Sequence, residues 1–168
     1  MDTTLELQRS DDLIVELAHP DDGYALVGGL RSEDIIEARA MLGDAVDIGN
    51  LLRATIETSH EAFSLITENR VIHALWGHGK CTEETEQRKG WVWFVSTPDL
   101  FRTHSLTMCR FANKVLFPQF DEIYDAYGNW VHADNSKHLR FLSACGFNAK
   151  AKKTFPTGKD FVYMERSN

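Results

Sequence analysis

Three groups of side chains in this 168-residue chain are of types that could do chemistry. The first is His132, three residues before Asn135 in the segment DAYGNWVHADNSKHLRFLSACGF, which runs from Asp125 to Phe147. A neutral imidazole near pH 7 can accept a proton; the plainer reading is a surface or capping histidine. The second is the run Arg102, Thr103, His104 and Ser105, four donors behind an apolar strand. Their side chains could hold a small anion, or they are simply the first turns of a helix. The third is His73, His78 and Cys81, which suggests a metal. Structural zinc takes four ligands, and no fourth is evident.

Other constellations point to structure. Cys145 falls on the apolar face of a helix, as a small core residue does. Trp76, Trp91, Trp93 and Phe94 read as sheet aromatics, because a base-stacking platform needs basic residues among them and only Arg88 and Lys89 are close. Lys150, Lys152 and Lys153 suit the protection of a sheet edge. No nucleophile-elbow signature accompanies a Ser-His-Asp set.

These residues must be positioned by elements. Leu13 to Ala18 reads as a strand, ended by the turn-like His19-Pro20-Asp21-Asp22-Gly23. Ser32 is placed to cap a helix that reaches Leu42 and stops at Gly43. A second helix is expected from Ala45 to Thr58. A hairpin follows, Ala62–Thr67 and Val71–Trp76, with Asn69 suited to the positive φ of its turn. Thr82 to Gly90 is polar and charged, as loops are. Trp91–Ser96 is a near-continuous apolar strand of the kind covered on both faces. Thr97 and Pro98 start a long helix expected to end near Phe117. Glu122–His132 is a strand with an interruption at Gly128–Asn129. Asn135 leads a helix from Ser136 to Cys145, Gly146 takes its left-handed end, and two strands, Lys150–Phe155 and Phe161–Glu165, close the chain.

Composition bounds the function classes. Hydrophobic residues make up 43% and charged residues 26%, which excludes a disordered chain. The length fits a single domain over residues 1–168. The net charge is −7, divided as −10 over residues 1–90 and +3 over 91–168. An acidic protein is a poor non-specific partner for nucleic acid, while its basic half could still meet a small anion. No apolar run is long enough for a membrane span. The start, MDTTLELQRSDD, lacks the features of a secretory signal, and three sparse cysteines suit reduced thiols, so a cytoplasmic, non-secreted protein is expected. None of these features sets an oligomeric state.

The succession of strand, Asn-led helix and Gly146-Phe147 resembles the last core motif of the GNAT acyltransferase superfamily. The order of elements along the whole chain is also that superfamily's, with motif-level likeness over residues 91–147. The resemblance implies an α/β (α+β) fold, a single-domain three-layer sandwich with a mixed, mostly antiparallel sheet and helices on both faces. It implies an acyl-CoA-dependent N-acyltransferase that uses acetyl-CoA and an amine or protein acceptor. The superfamily's pyrophosphate loop, R/Q-x-x-G-x-G/A, overlays with Arg102 on its first position and Ser105 and Thr107 on its small residues; neither glycine is kept. Side chains of Arg102, Thr103, His104 and Ser105 would then serve as donors, and Lys152 or Lys153 could reach the 3′-phosphate. A strand N–H near Val95 or Ser96 would polarise the thioester, and Asn135 would orient the pantetheine. The proton-donating Tyr expected seven residues after the Asn is Leu142, and WVWFVS lacks the superfamily's Glu. His132 is left as the candidate for moving protons.

The wording WFVST and WVHADNSKHLRFLSACGF is most similar to GNAT-like proteins of tailed bacteriophages, including the small internal virion protein of short-tailed coliphages. Asn135, His138, Arg140, Phe141, Leu142 and Gly146 carry that likeness. It implies a rival role: a catalytically silent fold that acts in virion assembly or genome delivery by contacts with virion proteins, in the infected cell or the particle. Both roles stay open on the sequence.

Overall fold

A computed structural model describes residues 13–81 and 88–167. The acidic N-terminal segment and most of the expected charged loop, residues 82–87, lie outside the described residues. The elements run β1 (Leu13–Leu17), α1 (Asp22–Val27), α2 (Ser32–Leu42), α3 (Ile48–Thr58), β2 (Glu61–Thr67), β3 (Ile72–Lys80), β4 (Lys89–Ser96) and α4 (Pro98–Phe111). A π turn (Ala112–Leu116), α5 (Phe117–Ile123), β5 (Ala126–His132), α6 (Ser136–Ala144), β6 (Asn148–Thr154) and β7 (Asp160–Ser167) complete it. The strands hydrogen-bond in the order β1-β2-β3-β4-β5-β7-β6. The β4–β5 pair is parallel, and β1–β2, β2–β3, β5–β7 and β6–β7 are antiparallel. This is the mixed, mostly antiparallel sheet of an α+β fold, flanked by helices. No helix among the described residues is long and apolar enough to cross a membrane.

The chain forms two compact units. The first comprises residues 13–31, Asp47–Gly79 and Trp93–Ser105. Ala62 through Ile66 are all buried, in keeping with the largely apolar run of β2. Phe63 stacks on Trp76 across the β2–β3 ladder at 5.8 Å. Ser64 is fully buried and donates its hydroxyl to Asp22 Oδ2 at 2.6 Å, so its polarity is satisfied. Asp22 also accepts the His19 N–H, and the stretch read as a turn opens α1 instead. Asp47 caps α3 by accepting the Asn50 N–H, so that helix begins three residues later than the apolar pattern implies. In the hairpin, Arg70 and not Asn69 takes the positive φ, 59°. Its guanidinium reaches Glu16 on β1 at 2.6 Å.

The second unit comprises Ser32–Val46, Lys80–Val92 and residues 106–167, with 82–87 undescribed. Its core centres on Tyr127, whose ring lies 5.6 Å from Phe120 and Phe147 and 6.3 Å from Phe117. The phenol donates to Asp121 at 2.9 Å. Arg166 donates to the same carboxylate at 2.7 and 3.1 Å and to the Cys145 carbonyl at 2.8 Å. Burial, then Asp121, pushes the Tyr127 phenol well up, and Arg166 holds the Asp121 carboxyl below its usual range. The helix expected to stop before Pro118 continues through the π turn into α5. Pro118 sits in the first turn of α5, where a missing N–H costs little. Ser32 is the first residue of α2 rather than its cap, and its hydroxyl donates to Glu33.

No break occurs in β5 at Gly128–Asn129; the strand pairs with β7 from Ala126 to His132. Gly128 is there because a β-carbon would lie 2.3 Å from the Met164 carbonyl oxygen and 2.8 Å from the Tyr163 ring. Gly128→Ala should therefore destabilise by about 2–3 kcal/mol in urea denaturation; a loss within experimental error would show that β5 and β7 yield easily. Asp121 stabilises the fold above its unfolded-state value of about 4, and that contribution disappears as pH falls through its lower folded-state value. Asp121→Asn should flatten the acid limb of the stability–pH curve, and an unchanged limb contradicts the assignment.

Candidate functional site

The parallel ladder between β4 and β5 is registered at Lys89–Trp91 against Ala126–Gly128, the first three residues of each strand. β4 continues to Ser96 and β5 to His132. Val95, Ser96 and the run Arg102–Ser105 lie in the first unit, and His132 and Asn135 in the second.

In the first unit, Val95 is half-buried and Ser96 fully buried at the end of β4. The Ser96 carbonyl accepts the Arg31 N–H at 3.0 Å, and the Thr97 N–H goes to the His73 carbonyl at 2.8 Å. The Thr97 hydroxyl does not cap α4; it is buried without a hydrogen-bond partner. Arg102, Thr103, His104 and Ser105 lie inside α4 rather than in a loop ahead of it. Arg102 bridges to Asp99 at 2.9 Å on an exposed surface. Thr103 donates its hydroxyl to the Asp99 carbonyl at 2.7 Å. His104 departs from helical geometry, with φ −127° and ψ 18°, so α4 is kinked at the position where the sequence overlay places the worn loop. Phe101 packs edge-on against Phe94 at 5.8 Å and carries the Arg31 guanidinium 4.9 Å above its ring.

His73, His78 and Cys81 do not form a metal-ligand group. His78 is buried, with Nε2 3.4 Å from Glu61 and its ring 5.6 Å from His60. Burial lowers the pKa of His78 and of His73. Cys81 is exposed, and among the described residues no three His, Cys, Asp or Glu side chains are grouped to hold a metal.

In the second unit, Asn135 is buried and caps α6 as expected: its Oδ1 accepts the His138 N–H at 3.3 Å. Its amide Nδ2 donates to Glu37 Oε2 at 3.0 Å. The same oxygen accepts the His132 backbone N–H at 3.1 Å, and the other carboxylate oxygen stands 3.9 Å from His138 Nδ1. One carboxylate of α2 thus fixes the end of β5 and the start of α6 together. Glu37 was missed because it lies 95 and 98 positions from these partners and looks, locally, like any polar position of a helix. The His132 ring is buried edge-on against Phe161, 5.4 Å between centroids. Leu142, at the position where the superfamily places its Tyr, is a core residue. Cys145 is buried too, and burial pushes its thiol up, away from nucleophilic use.

His132 also lines a cavity of about 630 Å3 that lies wholly within this unit. Arg39 and Asp44 come from α2 and its end, Asp134 follows β5, and Thr157 and Lys159 come from the turn between β6 and β7. The Thr157 hydroxyl donates to the Ala40 carbonyl, which ties that turn to the end of α2. This space is of ligand size.

No protein-family model matches the chain. No curated protein sequence matches it either. Solved structures do. A chain of the NatC complex bound to Gag peptide and CoA aligns with a TM-score of 0.66 at 10% identity, over 94% of this chain and 99% of that one. AAC(6')-Ib in complex with ribostamycin and coenzyme A aligns at 0.64 and 11% identity, over 94% of each chain. A GCN5-related N-acetyltransferase from Kribbella flavida aligns at 0.66 and 12% identity, over 94% of this chain and 98% of that one. At such identities the likeness establishes the fold, which is the GNAT fold.

Glu37→Ala leaves two N–H groups without their acceptor, and Asn135→Ala removes a cap as well. Each should cost about 2 kcal/mol. In a double-mutant cycle the two should couple by about 1–2 kcal/mol; additive losses would show that the Asn135–Glu37 contact contributes nothing.

Proposed function

We propose that this chain is an acyl-CoA-dependent N-acyltransferase that moves an acetyl group from acetyl-CoA to an amine. The observation that carries this is His132: a buried imidazole at the end of β5, its backbone held by Glu37, on the wall of a cavity of ligand size. The likeness of nearly the whole chain to structures crystallised with CoA supports the choice of donor. Fold alone would not, since one fold hosts many functions.

Bound acetyl-CoA supplies an activated thioester whose sulfur is a fair leaving group. In the first unit, backbone N–H groups near Val95 or Ser96 would polarise its carbonyl. Arg102 and Ser105 would meet the pyrophosphate with side chains in place of the absent glycines. Arg102 can exchange its bridge to Asp99, because an exposed pair contributes little. The unpartnered Thr97 hydroxyl fits a further donor role, and Thr103 and His104 shape the kinked first half of α4. In the second unit, Asn135 would offer its remaining amide hydrogen to the pantetheine. His132 would take the proton that the attacking amine sheds, directly or through water.

A second reading is favoured by the state of one of these groups. The Asn135 side chain is already engaged on both sides, by α6 and by Glu37. A phage protein that keeps the fold and acts through virion contacts would carry such a site, and the wording of residues 135–146 supports that kinship.

Release of free CoA thiol from acetyl-CoA in the presence of a panel of amines separates the two. An enzyme releases thiol with at least one amine, and His132→Gln should lower kcat/KM about 100-fold while leaving the KM for acetyl-CoA unchanged. An undiminished rate removes His132 from the chemistry, and no release with any amine leaves the binding role.

A further inference from the structure

We infer that the cavity beside His132 recognises a zwitterion: an amine that carries its own carboxylate or comparable anion, as an α-amino acid does. This deepens the acyltransferase reading and rests on it for the fate of the amine. Four charged side chains line the cavity, Arg39, Asp44, Asp134 and Lys159. None of the four has an ion-pair or hydrogen-bond partner for its side chain among the described residues. Several charged side chains outside the cavity are matched, as in Arg70–Glu16, Arg88–Asp125, Lys137–Glu33 and Arg166–Asp121; what sets these four apart is that both signs face one space. Two anions and two cations thus face one space without being spent on each other or on neighbours. A ligand of single charge would satisfy one pair and be repelled by the other, whereas a ligand bearing both charges meets both.

The wall that carries these charges is built. Thr157 is tied to the end of α2 through the Ala40 carbonyl. The turn before Lys159 is closed by the Phe155 N–H to the Lys159 carbonyl and the Gly158 N–H to the Phe155 carbonyl, both 2.8 Å, with Gly158 at φ 77°. Asp134 and His132 line the same cavity, so a carboxylate that attracts an ammonium and the imidazole that would deprotonate it face one space. Arg39 and Lys159 are left for the anion. Ile36, one turn before Ala40 on α2, is 56% exposed and lines the same cavity, an apolar contact for an aliphatic side chain. In the transfer, the amine nitrogen bonds to the acetyl carbon and the C–S bond breaks. The ammonium first gives one proton to His132, which passes it to solvent; the second proton leaves nitrogen as the amide forms and ends on the CoA thiolate, giving the N-acetyl amino acid as its carboxylate and free thiol.

The test uses the full chain and a panel of free L-amino acids, each beside its amide, which lacks the carboxylate, and its des-amino acid, which lacks the amine. Thermal stabilisation and thiol release from acetyl-CoA are read for each. At least one amino acid should stabilise the protein and accept the acetyl group, with its amide and des-amino analogue at least about tenfold weaker. Arg39→Gln and Asp134→Asn should each weaken that amino acid about tenfold and leave acetyl-CoA affinity unchanged. Acetyl-CoA binding with no response to any amino acid overturns the inference and leaves the acyltransferase reading intact. Amides that bind as well as the acids overturn it too. Amino-acid binding without acetyl-CoA binding keeps the ligand class and rejects the transferase.

Discussion

The Glu37 carboxylate is the constraint on which the site end of the second unit depends. It accepts two N–H groups from different elements, the His132 backbone at the end of β5 and the Asn135 amide at the start of α6. Both donors belong to buried residues, where an N–H left without an acceptor costs about 1–3 kcal/mol. Two such penalties are avoided by one side chain, so α2, β5 and α6 cannot shift independently at this point. The geometry of His132 is therefore set from behind, through its main chain, and its ring needs only the edge of Phe161 to be held.

Beneath that lock lies an aromatic platform. Tyr127 is in contact with the rings of Phe117, Phe120, Tyr124 and Phe147, and its hydroxyl is taken by Asp121. Arg166 neutralises Asp121 and also reaches the Cys145 carbonyl at the end of α6. The polar network is satisfied at each member, which is the condition for burying one. It joins α5, β5, β7 and the C-terminal end of α6, while Glu37 joins α2, β5 and the N-terminal end of the same helix. α6 is thus pinned at both ends by charged side chains that are distant in sequence.

What the sequence made legible is what local chemistry decides. Asn135 as a cap, Gly43 and Gly146 in the left-handed region, and the apolar strand at 91–96 follow from residue type and spacing, and each is present. Several departures come from tertiary contact overriding local pattern, others from local geometry that residue type alone did not show. Gly128 looks like a break and is instead demanded by Tyr163 and Met164 on the neighbouring strand. Pro118 looks like a stop and is absorbed by a π turn. His19–Gly23 looks like a turn, but Asp22 is recruited by buried Ser64, forty-two residues away. Of the candidate site, the Asn-led helix and His132 were visible, whereas Glu37 and the Thr157–Lys159 turn were not. Their roles exist only once α2 and the β6–β7 turn are brought to the end of β5.

Function follows from what the fold leaves unspent. Among the described residues, groups left without a partner include the Thr97 hydroxyl in one unit and the charged lining of the His132 cavity in the other. In the proposed function the first would meet an acyl-CoA and the second an acceptor amine. Isothermal titration of acetyl-CoA into the full-length protein tests this most directly. Binding with a Kd on the order of micromolar and a stoichiometry of one is the predicted result; a flat titration at millimolar acetyl-CoA would contradict it.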